Sequence, residues 1–279
     1  MRGQIYSINA GKYTIKDENN NFHLLPAAGT FRYLGVIPLV GDYVDFVENK
    51  HIWNIYERKN SFIRPKVANI DHIIVVMSIK NPDFNSFLVD KYLALIENKN
   101  IEPILFFTKK DLGWTDEIDN YINLGYRVYL LNNFENNDLE MIKTIFKSNT
   151  CSFMGQSGVG KTTIINKILN LNLETQEISK KANRGKHTTR ITKIYDIYEG
   201  KLIDTPGFSA LDIKMTQEEL SKSFKQFREL SKKCKFKWCL HYNEPENFCN
   251  IKLNINKLIP QFRYDNYVKL LMEIIKNEK

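Results

Sequence analysis

The sequence predicts an α/β fold with a mostly parallel sheet, preceded by a small β-barrel and followed by a small, mostly helical domain. Three changes of pattern along the 279 residues support this prediction. Short alternating runs rich in β-branched and aromatic residues fill residues 1–65, and buried apolar runs alternate with helical segments over residues 66–215. Residues 216–279 are mostly helical and contain three of the four cysteines. We therefore expect three domains with these boundaries.

The N-terminal domain is predicted from five short strand-like runs separated by polar turns. They are Gln4–Ile8, Tyr13–Ile15, Phe22–Leu25, Tyr43–Val47 and Ile52–Tyr56. Five such strands in about sixty residues are typical of the oligonucleotide/oligosaccharide-binding (OB) barrel. These barrels often bind RNA or DNA, but some only dock against a neighbouring domain, and the sequence leaves both roles open. Arg64-Pro65 predicts the linker that ends this domain.

In the central domain, strands alternate with helices, which indicates a parallel sheet covered on both faces. The predicted strands are Asp71–Ser78, Glu102–Phe107, Arg127–Leu131, Thr150–Met154, Ile191–Tyr198 and Lys201–Ile203. The predicted helices are Phe87–Glu97, Asp116–Leu124, Asn137–Phe146 and Lys161–Leu169. In the C-terminal domain, we expect helices over Glu218–Leu230 and Tyr264–Lys276.

A phosphate-binding loop is predicted between the strand Thr150–Met154 and the helix that begins at Lys161. The pattern G-x-x-x-x-G-K-[ST] is fitted by Gly155, Gln156, Ser157, Gly158, Val159, Gly160, Lys161 and Thr162, and we include the adjacent Thr163 in the site. Backbone N–H groups of this loop would face phosphate oxygens, Lys161 would reach the β- and γ-phosphates, and the Thr162 hydroxyl would bind Mg²⁺. The flanking strand and helix favour this prediction over a chance Gly-rich turn.

A second motif, Asp204-Thr-Pro-Gly207, follows the predicted strand Lys201–Ile203. Asp204 at this strand end would hold Mg²⁺ through a water molecule, and the Gly207 N–H would contact a γ-phosphate. The spacing from the P-loop supports this interpretation of a tetrapeptide that is weak by itself.

The third motif, Thr108-Lys109-Lys110-Asp111, resembles the guanine-recognition motif N-K-x-D of GTPases. The Asp111 carboxylate would accept two hydrogen bonds that guanine offers and adenine does not, and the aliphatic stem of Lys109 would cover the base. Thr108 replaces the usual Asn, and its hydroxyl could replace part of the Asn hydrogen bonding.

The motif order is reversed from that of ordinary GTPases, because Asp111 precedes Lys161. A circularly permuted chain can form the same sheet. Together with the N-terminal barrel, the segments Gly185–Thr189 and Asp204–Phe208 and the C-terminal Cys/His cluster, this order resembles the ribosome small subunit-dependent GTPase A family. The resemblance implies an α/β P-loop GTPase domain, circularly permuted, between an OB-type barrel and a mostly helical zinc-binding domain.

The resemblance further implies that the protein hydrolyses GTP to GDP and phosphate late in maturation of the small ribosomal subunit. The subunit and its rRNA are then the expected partners, with rRNA bound through the flanking domains, nucleotide-dependent affinity and turnover stimulated by the subunit. Leu131-Asn132-Asn133 departs from the family's base-contacting loop.

The catalytic residue is a separate question, because Phe208 stands where Ras-like proteins carry a water-orienting Gln, and it cannot polarise water. The resemblance implies that His187 takes this role, since a neutral imidazole can accept a hydrogen bond from water. A loop histidine that only contacts RNA or solvent is the alternative. We expect Thr189, rather than the adjacent Thr188, to complete Mg²⁺ coordination.

The C-terminal cysteines predict a metal centre. Cys234, Cys239, His241 and Cys249 give the pattern C-x4-C-x-H-x7-C, a donor set suited to one structural zinc ion. The last spacing is longer than the five residues usual in the resembling family. Unrelated free thiols are the alternative.

The distribution of charge along the sequence indicates which kinds of partner the protein could bind. The formal net charge is +8, of which residues 1–65 contribute +2, residues 66–215 contribute +1 and residues 216–279 contribute +5. A polyanionic partner such as RNA and a merely solvated lysine-rich surface are equally compatible with this charge. No apolar run approaches membrane-spanning length, so we expect a cytoplasmic protein without a membrane partner. We also expect a monomer.

Two functions of other classes remain open at this stage. A P-loop ATPase or kinase would lack a guanine-recognising Asp111, so a comparison of GTP with ATP binding distinguishes it. A non-hydrolysing RNA-binding factor with a structural nucleotide would release no phosphate over many turnovers.

Overall fold

The computed structural model describes residues 1–132, 136–176, 191–205, 208 and 215–278. The strands, in chain order, are β1 (Arg2–Asn9), β2 (Lys12–Asp17), β3 (Phe22–Pro26), β4 (Tyr43–Phe46), β5 (Ile52–Ile55), β6 (Ser61–Phe62), β7 (Val67–Ala68), β8 (His72–Ser78), β9 (Glu102–Thr108), β10 (Arg127–Leu131), β11 (Thr150–Met154), β12 (Lys193–Ile197) and β13 (Gly200–Asp204). The α-helices are α1 (Thr30–Tyr33), α2 (Ser86–Glu97), α3 (Glu117–Asn123), α4 (Asn136–Phe146), α5 (Lys161–Gln176), α6 (Gln217–Ser221), α7 (Lys225–Leu230) and α8 (Gln261–Asn277).

The described residues divide into two compact units, and each unit combines separated stretches of sequence. Unit 1 contains the described residues of Met1–Ile73, Phe134–Phe153 and Lys161–Ala210. Unit 2 contains those of Ile74–Asn133, Met154–Gly160 and Leu211–Lys279. The units therefore cut across the three domains expected from the sequence, and those boundaries stay a prediction.

Five antiparallel strands form the N-terminal part of unit 1. β1 pairs with β2 and β4, β2 pairs with β3, and β4 pairs with β5. A parallel bridge between Ala27 and Ile52 links the end of β3 to the start of β5, as closure into a five-stranded barrel requires. The interior is apolar, with Ile5, Val44 and Phe46 fully buried. The five predicted strands are confirmed, whereas the short helix α1 was not expected.

The end of this strand region differs from the linker expected at Arg64-Pro65. β6 and β7 pair antiparallel on either side of these two residues, so they lie in the connection of a short hairpin. Gly41 packs closely against this hairpin. Its φ is +97°, and a Cβ added to it would lie 2.2 Å from the Ala68 carbonyl oxygen, which only glycine avoids.

The remainder of unit 1 joins this strand region through β12. β11 pairs with β13 in parallel, and β12 pairs with β13 antiparallel. β1 pairs antiparallel with β12, with Ser7 opposite Lys193. Side chains reinforce this pairing, because the Tyr6 hydroxyl donates to Asp196 Oδ1 over 2.6 Å and the Lys16 ammonium contacts Asp196 Oδ2 over 2.7 Å.

Unit 2 carries the first half of the predicted α/β pattern. Every residue of β8 is buried, and β9 pairs with β10 in parallel. α2 follows β8, and its N-terminus is capped by Asn85, whose side-chain oxygen accepts from the Leu88 N–H. These strands and helices agree with the sequence prediction, and Thr108 lies at the carboxyl end of β9, with Lys109 directly after it.

The helix predicted over Glu218–Leu230 is wrong as a single element. The structure has α6 and α7 in its place, separated by residues 222–224. The hydroxyls of Ser221 and Ser223 donate to carbonyls three residues earlier, which competes with helical hydrogen bonding. Phe224 then takes an extended conformation and is fully buried.

Unit 2 also contains a buried charged cluster between α2 and α8. Arg263 and Asp90 are both fully buried, with 3.7 Å between Arg263 Nε and Asp90 Oδ1. Asp90 Oδ2 accepts from Asn266 over 2.8 Å, and Arg263 donates to the Tyr126 hydroxyl over 2.5 Å. The guanidinium also lies 4.4 Å from the centroid of the Phe224 ring. Charged and polar groups therefore hold the C-terminal helix against α2.

In the part of the chain that the structure describes, none of the helices combines the length and the apolar character needed to cross a membrane.

Candidate nucleotide site and metal centre

The predicted P-loop begins directly after β11 with a close backbone contact to β8. Gly155 has a φ of +148°, and a Cβ added to it would lie 2.2 Å from the Val76 carbonyl oxygen. Any side chain at this position would push the start of the loop away from β8. The first glycine of the motif is thus required by packing within unit 2 as well as by its conformation.

The predicted guanine-recognition motif is tied to the P-loop by side-chain hydrogen bonds. The Thr108 hydroxyl lies 2.8 Å from the Val159 carbonyl oxygen and 3.3 Å from that of Met77. A hydroxyl has one proton, and the shorter distance favours donation to Val159. The Lys109 ammonium donates to the Gly158 carbonyl oxygen over 3.1 Å and also to that of Asn81. Unit 2 therefore brings the two motifs together across about fifty residues of sequence.

The structure shows what Thr108 does at the position where the N-K-x-D motif has Asn. Its side chain is buried and hydrogen-bonds the P-loop backbone, so it supports the loop from the protein interior. Asp111 lies on the other side of Lys109, in the 3₁₀ turn Lys110–Leu112, and is exposed. Lys109 itself has a φ of +59°, which turns the chain between the buried threonine and the exposed carboxylate. This arrangement leaves Asp111 open to a ligand.

The residues after the loop belong to unit 1. Lys161 is the first residue of α5, and burial lowers the pKa of its ammonium group to about 8. A bound anion would offset this penalty, because an opposite charge favours the ammonium form. Thr162 and Thr163 are exposed on the first turn of α5. Asp204 is the last residue of β13, which extends one residue beyond the predicted strand Lys201–Ile203.

Several predicted site residues lie outside the described residues. They are His187, Thr188, Thr189 and Gly207. Their catalytic and Mg²⁺-binding roles therefore stay predictions.

Asn81 contacts the predicted guanine-recognition turn, and the sequence analysis did not single it out. Its carbonyl accepts from Lys109, and it follows the carboxyl end of β8, the strand next to β9. A signal was available, because Asn81-Pro82 is a turn dipeptide at the same sheet edge as Thr108.

The predicted zinc ligands converge within unit 2. One ligand atom from each of Cys234, Cys239, His241 and Cys249 lies within 4.8 Å of the others. His241 Nδ1 is 3.4 Å from Cys249 Sγ and 3.8 Å from Cys234 Sγ. Tetrahedral zinc, with Zn–S about 2.3 Å and Zn–N about 2.1 Å, sets neighbouring donor atoms about 3.6–3.8 Å apart. The donor set is compatible with one zinc ion, and the two distances from His241 Nδ1 are close to this spacing.

The chemistry of these side chains also fits a metal. Burial lowers the pKa of His241 to about 4, so the imidazole is neutral and able to act as a ligand. Burial raises the pKa of the Cys239 and Cys249 thiols, and each also faces neighbouring thiols. A divalent cation would relieve this by binding the thiolates and displacing their protons. Backbone contacts support the site, with the Asn250 N–H 3.3 Å from Cys234 Sγ.

A cleft of about 370 Å³ in unit 1 combines aromatic side chains with charges of both signs, because Asp17, Glu18 and Asp196 line it together with Arg2, Lys16 and Lys201. The Arg2 guanidinium lies 4.5 Å from the centroid of the Tyr56 ring, and the Lys16 ammonium lies 5.5 Å from that of Tyr6. Lys201 lines the same cleft, 5.9 Å from the Tyr43 ring. Cations beside aromatic rings are typical of surfaces that bind single-stranded nucleic acid.

The fold and the motifs define a GTPase in which the guanine-recognition motif precedes the P-loop, as in a circularly permuted chain. The chain belongs to the RsgA GTPase family, whose model matches residues 55–214. Membership favours GTP hydrolysis over the ATPase and kinase alternatives.

Named relatives and solved structures agree with this assignment. The chain is 59% identical, over all of both sequences, to the "Small ribosomal subunit biogenesis GTPase RsgA" of Mycoplasmopsis agalactiae. It is 46% identical to the protein of that name from Mycoplasmopsis pulmonis, covering 98% of this chain and 100% of the relative. The crystal structure of YloQ, described as a circularly permuted GTPase, matches with a TM-score of 0.79 and 34% identity, covering 100% of this chain and 96% of YloQ. YjeQ from Thermotoga maritima matches with a TM-score of 0.77 and 28% identity, covering 98% of each chain.

Proposed function

We propose that this chain hydrolyses GTP as a factor in late maturation of the small ribosomal subunit, and that the subunit stimulates its turnover. The proposal of GTP binding rests on the hydrogen bonds that link Thr108 and Lys109 to the P-loop carbonyls of Val159 and Gly158. This link supports the proposal, because it joins the residues proposed to recognise guanine to the loop proposed to bind the phosphates. The names of full-length relatives support the small subunit as partner.

Nucleotide binding is proposed for the P-loop and for the base-recognition turn. The N–H groups of residues 155–160 cradle the phosphates, and Lys161 pairs with the β- and γ-oxygens. Asp111 accepts from the guanine edge, and Lys109 covers the base. Thr163 and the Gly207 N–H complete the phosphate contacts.

For hydrolysis, Thr162, Asp204 and Thr189 are proposed to hold the Mg²⁺ that accompanies GTP. When bound, Mg²⁺ would supply positive charge that stabilises the negative charge of the phosphates. His187 accepts a hydrogen bond from the attacking water and orients it, a role that Phe208 cannot take. Because protonated imidazole cannot accept, this role requires the neutral form of His187.

The flanking regions are proposed to bind rRNA. The contacts of Arg2 and Lys16 with aromatic rings support this for the barrel, which we propose to be of the OB type. One structural zinc ion, held by the Cys3His cluster, is proposed to fold the basic C-terminal region. We further propose a cytoplasmic monomer whose subunit affinity depends on the bound nucleotide.

The test is multiple-turnover phosphate release by zinc-loaded protein, with and without purified small subunits. We expect GTP turnover to rise with subunits, and binding of GTP and GDP to exceed that of ATP. Absence of stimulation, with active subunits and saturating GTP, would refute the ribosomal role. Equal affinity for ATP and GTP would refute the guanine assignment.

Two further measurements separate catalysis from nucleotide-dependent binding. His187→Ala should lower subunit-stimulated turnover strongly while leaving subunit binding with a non-hydrolysable GTP analogue mostly intact. The analogue should support tighter subunit binding than GDP, and by linkage the subunit then favours the GTP state by the same factor. Normal turnover by the variant would refute the role of His187, and equal subunit binding with analogue and GDP would refute the coupling.

A further inference from the structure

The turn between β8 and α2 lies against the predicted guanine-recognition motif within unit 2. We call residues Ile79–Phe84 the β8–α2 turn. The Ile79 N–H donates to the Thr108 carbonyl over 3.1 Å, which joins the first residue of the turn to the end of β9. The Lys109 ammonium donates to the Asn81 carbonyl in the middle of the turn. The turn therefore contacts both the backbone and the lysine side chain of the motif.

The same turn reaches the P-loop. Gly158 has a φ of +82°, and a Cβ added to it would lie 3.7 Å from Pro82 Cδ, so the proline ring lies next to this glycine. The Lys109 ammonium donates to the Gly158 carbonyl over 3.1 Å as well as to Asn81. The ammonium is thus held between two backbone carbonyls, one from the turn and one from the P-loop.

A buried hydroxyl closes the β8–α2 turn from the inside. Ser78 is the last residue of β8 and is fully buried. Its hydroxyl donates to the Pro82 carbonyl over 2.6 Å, and the Phe84 N–H donates to the Ile79 carbonyl over 3.1 Å. The Phe84 ring also packs edge-on against Phe107 of β9, at 5.6 Å between centroids. The path of the turn, and with it the position of its carbonyl groups, therefore depends on the Ser78 hydroxyl.

An ion pair also crosses the turn, but it contributes less. Lys80 Nζ lies 3.4 Å from Asp83 Oδ1, and these side chains are 53% and 76% exposed. Exposed pairs stabilise little, because solvent screens the charges. Removing the Ser78 hydroxyl costs more, because it leaves the Pro82 carbonyl without this donor inside the protein.

We propose that Ser78 is a positioning residue for guanine-nucleotide binding and acts through the β8–α2 turn on Lys109. The inference rests on the proposed function in one respect, since the aliphatic stem of Lys109 is there proposed to cover the base. An ammonium group fixed at two carbonyls leaves this stem few conformations to lose when a nucleotide binds. Without the Ser78 hydroxyl, the Asn81 carbonyl is no longer held in place, and ordering the stem opposes binding.

This role predicts how the affinity changes with the base. The stem of Lys109 would contact the face of any purine, whereas Asp111 would contact the edge that distinguishes guanine from hypoxanthine. Loss of the Ser78 hydroxyl should therefore weaken GDP and IDP binding by the same factor. The ratio of the two dissociation constants should stay at its wild-type value.

The experiment measures the dissociation constants of GDP and IDP by competition with ribose-labelled fluorescent GDP on the full-length, zinc-loaded protein. Ser78→Ala should weaken both about five- to tenfold, as expected for loss of one buried hydrogen bond. Ser78→Thr keeps the hydroxyl and should restore most of the affinity. Ser223→Ala is the matched control, because Ser223 is also fully buried in unit 2 and its hydroxyl donates to the Leu220 carbonyl over 2.9 Å. This control should lower the melting temperature without changing either dissociation constant.

A second pair of variants moves the same carbonyl from the solvent side, and it decides the matter if Ser78→Ala does not fold. Asn81 is exposed and has a φ of +52°, which glycine accepts and β-branched residues avoid. Asn81→Val should therefore weaken GDP binding as Ser78→Ala does, whereas Asn81→Gly should not. Equal GDP affinity of these two variants would overturn the proposal.

The route through Lys109 is tested by a double-mutant cycle. Lys109→Met keeps an apolar stem but removes the ammonium that contacts Asn81 and Gly158. Adding Ser78→Ala to Lys109→Met should then leave GDP affinity unchanged, because the two substitutions break the same connection. An equal loss in both backgrounds would overturn the proposal, as would an unchanged GDP affinity of Ser78→Ala alone or an equal loss in Ser223→Ala.

Subunit assays separate this inference from the proposed function. If subunits stimulate GTP turnover while GDP affinity is independent of Ser78 and Asn81, the inference fails and the proposed function stands. If GDP affinity depends on Ser78 through Lys109 while subunits do not stimulate turnover, the proposed function fails and the inference stands.

Discussion

Replacing Arg263 by Met tests whether the buried charged cluster stabilises the fold, and it predicts a loss of stability that grows with pH. Met keeps much of the apolar volume but removes the contact with Asp90, the hydrogen bond to Tyr126 and the interaction with the Phe224 ring. Removing one partner of a buried pair leaves an uncompensated charge, which costs about 3–5 kcal/mol. We expect a loss of this size at pH 8.

The pH dependence follows from Asp90. Burial raises the pKa of this carboxyl to about 6, although Arg263 and the hydrogen bonds from Asn266 and Tyr121 lower it. The pKa of Asp90 in the folded protein exceeds the ordinary value of 3.8. The contribution of Asp90 to stability therefore falls as pH rises towards 6 and is constant above pH 6. Without Arg263 the folded pKa rises further, so the variant continues to lose stability above pH 6. Each additional pKa unit adds about 1.4 kcal/mol to the difference from wild type.

The assay is urea unfolding of zinc-loaded, nucleotide-free protein, followed by far-ultraviolet circular dichroism at pH 5.5 and pH 8. The difference in unfolding free energy between Arg263→Met and wild type should be smaller at pH 5.5, because the Asp90 carboxyl is then largely protonated in both folded proteins. Titratable groups that behave alike in the two proteins cancel in this difference. The same comparison made between the Asp90→Asn variant and the variant that carries both Asp90→Asn and Arg263→Met should show no pH dependence. A difference between Arg263→Met and wild type that is equal at both pH values, or a pH dependence that persists in this second comparison, would refute the reasoning.

Other predictions concern the nucleotide site and the metal. Thr108→Val should lower GDP affinity about five- to tenfold, because one hydrogen bond to the P-loop is lost, and Thr108→Ser should restore it; calorimetric titration measures both. Asp111→Asn should shift preference from guanine to xanthine nucleotides in a competition assay, and unchanged guanine preference would contradict the assignment of this carboxylate. Gly155→Ala should abolish nucleotide binding and lower the melting temperature, because its Cβ would lie 2.2 Å from a carbonyl oxygen. Cys249→Ala should reduce zinc below one ion per chain by elemental analysis and lower the melting temperature, whereas full zinc content would argue against its role as a ligand.

Local patterns were enough to predict much of the fold and part of the site. The P-loop, the guanine-recognition turn and the Cys3His cluster each follow from residues close in sequence, and parallel-sheet geometry accounts for Thr108 lying beside Val159. The strands and most helices follow from apolar periodicity, because burial of one face imposes that period on the sequence.

Long-range packing explains what the sequence could not predict. Helical spacing is shown by the apolar residues Leu220, Phe224, Phe227 and Leu230. In the structure, however, Phe224 is extended rather than helical, and its ring packs against the guanidinium of Arg263. The partners of Arg263 are similarly inaccessible to pattern analysis, since the Asn266–Asp90 hydrogen bond joins residues 176 positions apart. No local rule indicates that a C-terminal arginine will be buried against a helix from the first third of the chain.

The pairing of β1 with β12 has a consequence for deletion experiments. A chain that began after residue 65 would lack β1 and would leave the backbone of β12 without its neighbour on one side. Such an unpaired edge is a template for strand addition between molecules, so this shortened protein should self-associate. Loss of ribosome binding by a barrel deletion would then report aggregation as much as a missing RNA contact. Point substitutions on the outer face of the barrel, which leave β1 in place, are the sound way to measure what the barrel contributes.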